Sequence, residues 1–289
     1  MEAHHPHSHQ SLGVALAATA ALLVVKALGA LFSHSLALAG DAAHSLGDTG
    51  ALALALFADR QKFRPPTRQL SFGWGRVEIL VALVNALVLW MMAGGLTVEA
   101  VRQWQHPGHV NSHIMLGVAV LSLVVNVALL RSVPRHEDMN HRATWWHLVS
   151  DVSSSLSVLL ASLILLFTGW GPVNALAALV IAALIVLGAW GIIRDAIHIL
   201  LEATPPEIDV DRLIGEIESV PGVEHVHDLH LWTIGSRQWA LACHVSLGEA
   251  AGTPQAVLCT LHDIMASYGV HHTTIQLETA DEGHPEPSW

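Results

Sequence analysis

Six apolar runs, each close to the length of a membrane-crossing helix, occupy the first two thirds of the chain: Leu12–Phe32, Leu36–Ala58, Val77–Val98, Ile114–Ser132, Trp145–Phe167 and Val173–Ile193. A helix needs about 20 apolar residues to cross the hydrocarbon of a bilayer. In lipid its backbone N–H and C=O groups must be satisfied within the segment, which favours helices over open sheets. The runs therefore predict a mostly α membrane protein with six transmembrane helices. Tight turns join the first run to the second at 33–35 and the fifth to the sixth at 168–172. Composition agrees: 13% of residues are charged, about half the share of a soluble domain. The formal net charge of −11 argues against a nucleic-acid partner. No basic stretch precedes the first run, which is expected to be a retained anchor and not a cleaved signal.

Loop charge predicts the orientation. Arg60, Lys62, Arg64, Arg68 and Arg76 lie between runs two and three, and Arg131, Arg135 and Arg142 between runs four and five. The alternate loops hold only Arg102. Positive loops stay in the cytoplasm. Both termini are thus expected there, with the chain a multi-pass protein of the cell (inner) membrane. Trp74, Trp104, Trp145 and Trp170 sit at run ends, as interfacial anchors do.

The domain boundaries read as a tail over 1–10 carrying His4, His5, His7 and His9, a membrane domain over 11–200, a linker over 201–206, a cytosolic domain over 207–280 and a tail over 281–289. Pro205-Pro206 ends the last membrane helix. The cytosolic segment reads helix, strand, strand, helix, strand, a small α+β domain with its helices on one sheet face. If Leu229 and Leu231, Leu241, Cys243 and Val245, and Ile275 and Leu277 face the helices, then His230, His244, Gln276 and Glu278 share the other face. His230, His244 and Glu278 form a candidate metal site there, and a solvated polar face is the competing reading. Cys243 and Cys259 lack C-x-x-C spacing and read as reduced packing residues.

The chemistry concentrates in two short stretches inside apolar runs: His44-Ser45-Leu46-Gly47-Asp48 and His147-Leu148-Val149-Ser150-Asp151. Each is H-x-x-x-D. A spacing of four places histidine and carboxylate one turn apart on one helix face. Intramembrane ionisable groups are expensive and mark pathways. One copy alone reads as a packing histidine as readily as a ligand. Two copies supply two imidazoles and two carboxylates, a set for one tetrahedral zinc-like ion. At ~1.5 Å per residue Asp48 lies roughly 18 Å from the outer end of its helix and Asp151 roughly 25 Å from the outer end of its own. The pairs then meet only if the helices tilt or the fifth protrudes. Lys26, an unusual intramembrane cation, is expected to pair with a carboxylate or snorkel. Asn85 and Asn126 are expected to bond between helices, and Arg194 to Asp195. An intramembrane metalloenzyme would require an open metal position and a general base such as H-E-x-x-H provides, which neither run contains. A membrane-bound metal sensor is the other alternative.

Five stretches carry a family resemblance: Ala39–Asp48, Phe72-Gly73-Trp74-Gly75-Arg76-Val77-Glu78, His147–Asp151, Leu201-Glu202-Ala203-Thr204-Pro205 and Val226-His227-Asp228-Leu229-His230-Leu231-Trp232. In them the chain resembles the cation diffusion facilitators, in particular their zinc-preferring bacterial branch. The resemblance implies a homodimer in the lipid bilayer, six membrane helices and a metallochaperone-like (ferredoxin-like) cytosolic domain. It also implies export of a divalent metal, most typically Zn²⁺, in exchange for protons by alternating access. On the same ground His44, Asp48, His147 and Asp151 match the family's transport site, and Asp41 matches a recurrent family position; one turn before His44, it is a candidate to orient a ligand or accept a proton. His230, His244 and Glu278 suit the family's cytosolic sites, with a structural Zn²⁺ as one role there, although Gln276 stands where some members have histidine.

Overall fold

The computed structural model describes residues 7–61, 66–132, 139–235, 238–248 and 252–279; within these, the side chains of 7–16, 18, 52, 54–61, 132, 139–144, 146, 147 and 279 are not described. The expectations for the first six residues of the tail, for Lys62, Arg64 and Arg135, and for 281–289 lie outside the described residues. Eleven elements run in order: α1 (His7–Ser33), α2 (Leu36–Gln61), α3 (Gly75–Gln105), α4 (Ser112–Ser132), α5 (Met139–Thr168), α6 (Pro172–Leu200), α7 (Val210–Glu218), β1 (Val223–Gly235), β2 (Gln238–Leu247), α8 (Pro254–Ser267) and β3 (Val270–Thr279). They form two compact units, Met1–Phe57 with Val81–Ile193, and Ala58–Leu80 with Arg194–Trp289.

The first unit is helical. Among the described residues four helices are long and apolar enough to cross a membrane: Gly75–Gln105, Ser112–Arg131, Leu148–Thr168 and Pro172–Leu200. Six were expected. The apolar part of α1 that is described, Thr19–Ser33, is shorter. α2 carries Asp41, His44 and Asp48 along its length, which lowers its hydropathy. Small residues let the helices approach closely. A Cβ on Gly29 of α1 would stand 2.7 Å from Val118 of α4, and one on Gly40 of α2 would stand 2.7 Å from Leu96 of α3. Ala37, Leu38, Ala93, Ala100, Met115, Ala119, Val158, Ala178 and Ile181 fill the interior between them.

Polar side chains cross-link this interior. The Asn126 amide of α4 donates to the Asp151 carbonyl (3.2 Å) and to Ser155 Oγ (3.0 Å) on α5. Asn85 of α3 donates to the Gly47 carbonyl of α2 at 3.4 Å. Both meet the expectation of interhelical bonding. Asn174, at the start of α6 and 1% exposed, does more. Its Oδ1 accepts from the Ser35 hydroxyl (2.7 Å) and the Ala37 N–H (3.1 Å), and its Nδ2 donates to Gln103 of α3 (3.2 Å). At the start of α2 the free Ala37 N–H is thus satisfied from another helix, and that of Leu38 by Ser35 Oγ at 3.2 Å.

In the second unit α7 and α8 cover one face of a sheet ordered β1-β2-β3, with β1–β2 antiparallel and β2–β3 parallel. Asp209 caps α7 by accepting from the Arg212 N–H, and Thr253 caps α8 ahead of Pro254. Leu213, Ile217, Leu231, Leu241, Cys243, Val245, Leu261 and Met265 make the core, with Leu229, Ile275 and Leu277 packed against it. This is the phase that the alternation predicts. β1 also carries a bulge between His227 and His230, with Asp228 at φ 49°. Residues 66–80 belong to this unit as well. Arg76 donates to Glu202 Oε1 at 2.9 Å and to the Thr233 carbonyl at 3.4 Å. Phe72 stands edge-on to Trp232 and His272, with ring centroids 6.4 and 5.3 Å away. Arg194 and Asp195 form the expected exposed pair at 3.3 Å.

Asn174→Ala strips two buried donors of their acceptor at once. An unsatisfied buried group costs about 1–3 kcal/mol, so the variant is expected to unfold several degrees below the parent in a detergent thermal melt.

Candidate metal centres

The first centre is built by helix spacing. His44 and Asp48 lie one turn apart on α2, and Asp151 comes from α5. Each of the three offers a ligand atom, and these atoms lie within 4.8 Å of one another. His44 Nε2 stands 3.2 Å from Asp151 Oδ1, with the two side chains 12% and 16% exposed. Donors around a four-coordinate zinc, each ~2.0–2.2 Å from the ion, lie about 3.4 Å apart. The His44–Asp151 pair stands at that spacing, and the remaining pairs lie within 4.8 Å. They meet although Asp151 is roughly 25 Å along α5 from Thr168 and Asp48 roughly 18 Å along α2 from Leu36, which requires helix tilt or a protruding α5. His147 lies four residues before Asp151 on α5, and its side chain is outside the described residues.

Local sequence holds these groups in place. Gly47 lies against Leu89 of α3, where a Cβ would come within 2.5 Å, so α2 packs tightly beside its candidate ligands. Thr49 donates back to the Ser45 carbonyl (2.8 Å), and Ser153 to the Val149 carbonyl (2.7 Å). Such bonds satisfy hydroxyls on their own helix without a distant partner. Asp41, one turn before His44, is fully buried. It lies 3.0 Å from the Lys26 ammonium and accepts from the Ser154 hydroxyl at 2.7 Å. Lys26 thus pairs with a carboxylate, one of the two outcomes foreseen for it.

The second centre is built by strand register. His227 of β1 and His244 of β2 are direct cross-strand partners, with ring centroids 5.4 Å apart. Glu278 of β3, 6% exposed, bridges them. Its Oε1 is 2.7 Å from His244 Nδ1 and its Oε2 3.3 Å from His227 Nε2. Gln276 donates to Glu278 Oε1 at 2.9 Å. His227 Nδ1 is buried with no hydrogen-bond partner.

Sequence alternation put His230 with His244 and Glu278. The structure brings His244 and Glu278 together with His227, and holds His230 outside the cluster, 59% exposed and 3.0 Å from Asp228 Oδ1. The bulge is the reason. Strict alternation assigns His227 to the face of Leu229 and Leu231. The extra residue at Asp228–Leu229 turns His227 onto the same face as His230 and opposite His244. The signal lay in the spacing of three between two histidines in His227-Asp228-Leu229-His230, which pure alternation cannot place on one face.

The donor types suit zinc-like cations. Sets that include imidazole disfavour magnesium and calcium, which take six or more oxygens. Cys243 adds nothing to them: it is 2% exposed in the core, and burial pushes its thiol up to about 11.

Comparison with known families decides the rest. Residues 12–201 match the cation efflux transmembrane domain, and residues 205–280 match the cation efflux protein cytoplasmic domain. The chain belongs to the cation efflux (cation diffusion facilitator) family. It is a multi-pass membrane protein and a metal cation efflux transporter, not an enzyme. The cation efflux protein CzcD of Cupriavidus metallidurans is 35% identical over 288 residues, covering 97% of this chain and 91% of that protein. The zinc transporter ZitB of Escherichia coli is 32% identical over 289 residues, 95% and 92% of the two chains. The cadmium, cobalt and zinc/H(+)-K(+) antiporter of Bacillus velezensis is 31% identical over 268 residues, 91% and 86%. The solved metal-bound C-terminal domain of the CzcD transporter is 33% identical over 25% of this chain and 99% of that one, with a TM-score of 0.24.

The two cysteines are expected to separate cleanly. At about pH 8 iodoacetamide should label exposed Cys259 and leave Cys243 unmodified in the folded protein, because only the thiolate attacks. Peptide mass spectrometry reads the difference.

Proposed function

We propose that this transporter exports Zn²⁺, with Cd²⁺ and Co²⁺ as further substrates, in exchange for protons. His44 and Asp48 on α2 and His147 and Asp151 on α5 are the transport ligands. The observation that carries this reading is the convergence of His44, Asp48 and Asp151 from two helices to within 4.8 Å. The names of the relatives, zinc transporter and zinc/H(+) antiporter, support both the cargo and the coupling. His147 completes the set through its spacing of four from Asp151.

Proton coupling follows from the ligands. Zinc requires neutral imidazole and ionised carboxylate, so each proton bound at the site competes with the metal. Histidine titrates near ~6.5, within the range of pH across a cell membrane. Two carboxylates offset the charge of the dication where desolvation is most costly. The ion enters from the cytoplasm, the helices rearrange, and protons arriving from the other side evict it.

Six spans, both termini in the cytoplasm and the inner membrane complete the topology; the basic loops support it. The protein acts as a homodimer through its C-terminal domain. In that domain His227, His244 and Glu278 bind zinc as a structural or regulatory ion, supported by the bridging carboxylate and the partnerless His227 nitrogen. His230 takes no part as a ligand.

Two experiments test this. In vesicles loaded with a zinc-sensitive dye, Asp151→Ala is expected to reduce zinc uptake to the level of protein-free vesicles. Uptake equal to the parent would reject the transport site. In zinc titrations of the full chain, His227→Ala should weaken the C-terminal site by at least about 10–100-fold, the range found for losing even an outer-shell partner. His230→Ala should leave that affinity unchanged.

A further inference from the structure

Three carboxylates, not two, lie within one helical turn of the transport ligands. Asp41 precedes His44 by three residues on α2, and Ser154, which donates to Asp41 Oδ1 at 2.7 Å, follows Asp151 by three on α5. A free carboxylate there would raise the negative charge around the cargo and add a hard oxygen donor. That change favours cations such as Mn²⁺ over Zn²⁺.

Lys26 prevents it. The side chain reaches from α1 into the bundle and is 1% exposed. Its Nζ stands 3.0 Å from Asp41 Oδ2 and donates to Ser45 Oγ at 2.8 Å, beside His44. Both Asp41 oxygens are thereby engaged, one by the ammonium and one by Ser154. A buried ion pair is seldom a net source of stability, since desolvating two charges offsets their attraction. Its presence so near the site calls for another account.

We propose that Lys26 is a specificity-determining residue of the transporter: by neutralising Asp41 it withholds that carboxylate from the cargo and keeps the site selective for Zn²⁺ over harder dications. Lys26 acts through Asp41 and does not touch the metal. The inference rests on the reading of His44, Asp48, His147 and Asp151 as the transport site.

The test is a charge cycle on the full chain in proteoliposomes. Zinc uptake is followed against rising Mn²⁺, and the Mn²⁺ concentration that halves it is recorded for the parent, Lys26→Met, Asp41→Asn and the double variant. Lys26→Met releases Asp41, so this concentration should fall by about tenfold, as expected of one uncompensated buried charge. Asp41→Asn leaves an ammonium beside the site and should slow zinc uptake with no gain in Mn²⁺ sensitivity. The double variant removes both charges and should return to the parent's selectivity. Unchanged Mn²⁺ sensitivity in Lys26→Met, or a double variant no closer to the parent than Lys26→Met, overturns the proposal. Should Lys26→Met not yield folded protein, the comparison of Asp41→Asn with the double variant decides: restored uptake upholds the role of Lys26, and no restoration overturns it. Asp151→Ala in the same series separates the two claims. Parental uptake by it removes the transport site and this inference together, whereas lost uptake with an unaltered Lys26→Met removes this inference alone.

Discussion

Charge in a low-dielectric interior must be cancelled at close range, and the helical unit is arranged around that requirement. Lys26 meets Asp41 at 3.0 Å and His44 meets Asp151 at 3.2 Å, with Asp48 one turn from His44. In such surroundings Coulomb attraction is strong, yet the loss of hydration is of similar size. The groups therefore add little to stability, and a bundle of leucines would fold as well without them. On the function proposed above, what His44, Asp48 and Asp151 confer is a place where a dication is better matched than a proton, or the reverse, depending on which is abundant.

The two units position their candidate ligands by different physics. In the membrane helices a spacing of four residues aligns two ligands on one face, and glycines and alanines bring the faces together. Asn126 and Asn174 pin neighbouring helices at points where water is absent to compete. In the C-terminal unit the hydrophobic effect drives the assembly. Leu213, Leu241, Leu261 and Met265 are fully buried between helices and sheet. Once they set the sheet face, cross-strand pairing places His227 beside His244, and the parallel β3 delivers Glu278.

Much of this was legible in the chain alone. The apolar runs yield the long helices but not all of their ends, since α3 and α6 continue seven residues past the runs and α5 begins six before its own; alternation yields the core face of all three strands, because burial acts on each side chain according to a local period. Pro205-Pro206, as a breaker, marks a boundary by an equally local rule. The C-terminal ligand set was legible only in part. A bulge changes the period by one residue, and nothing in a strict two-residue rule anticipates it; Asp228 at φ 49° is where the count slips.

The sequence by itself determined which residues can meet a membrane, which face of each strand is buried, and that two histidine–aspartate pairs stand one turn apart, since these follow from spacing along a single element. Only the tertiary structure decided that Asp151 reaches His44 from another helix, that Lys26 takes Asp41 and not solvent, and that His227 displaces His230 from the sheet cluster. The reason is the same in each case: these are distances between elements. They depend on how helix ends are levelled and strands are registered, and no period within one segment encodes that.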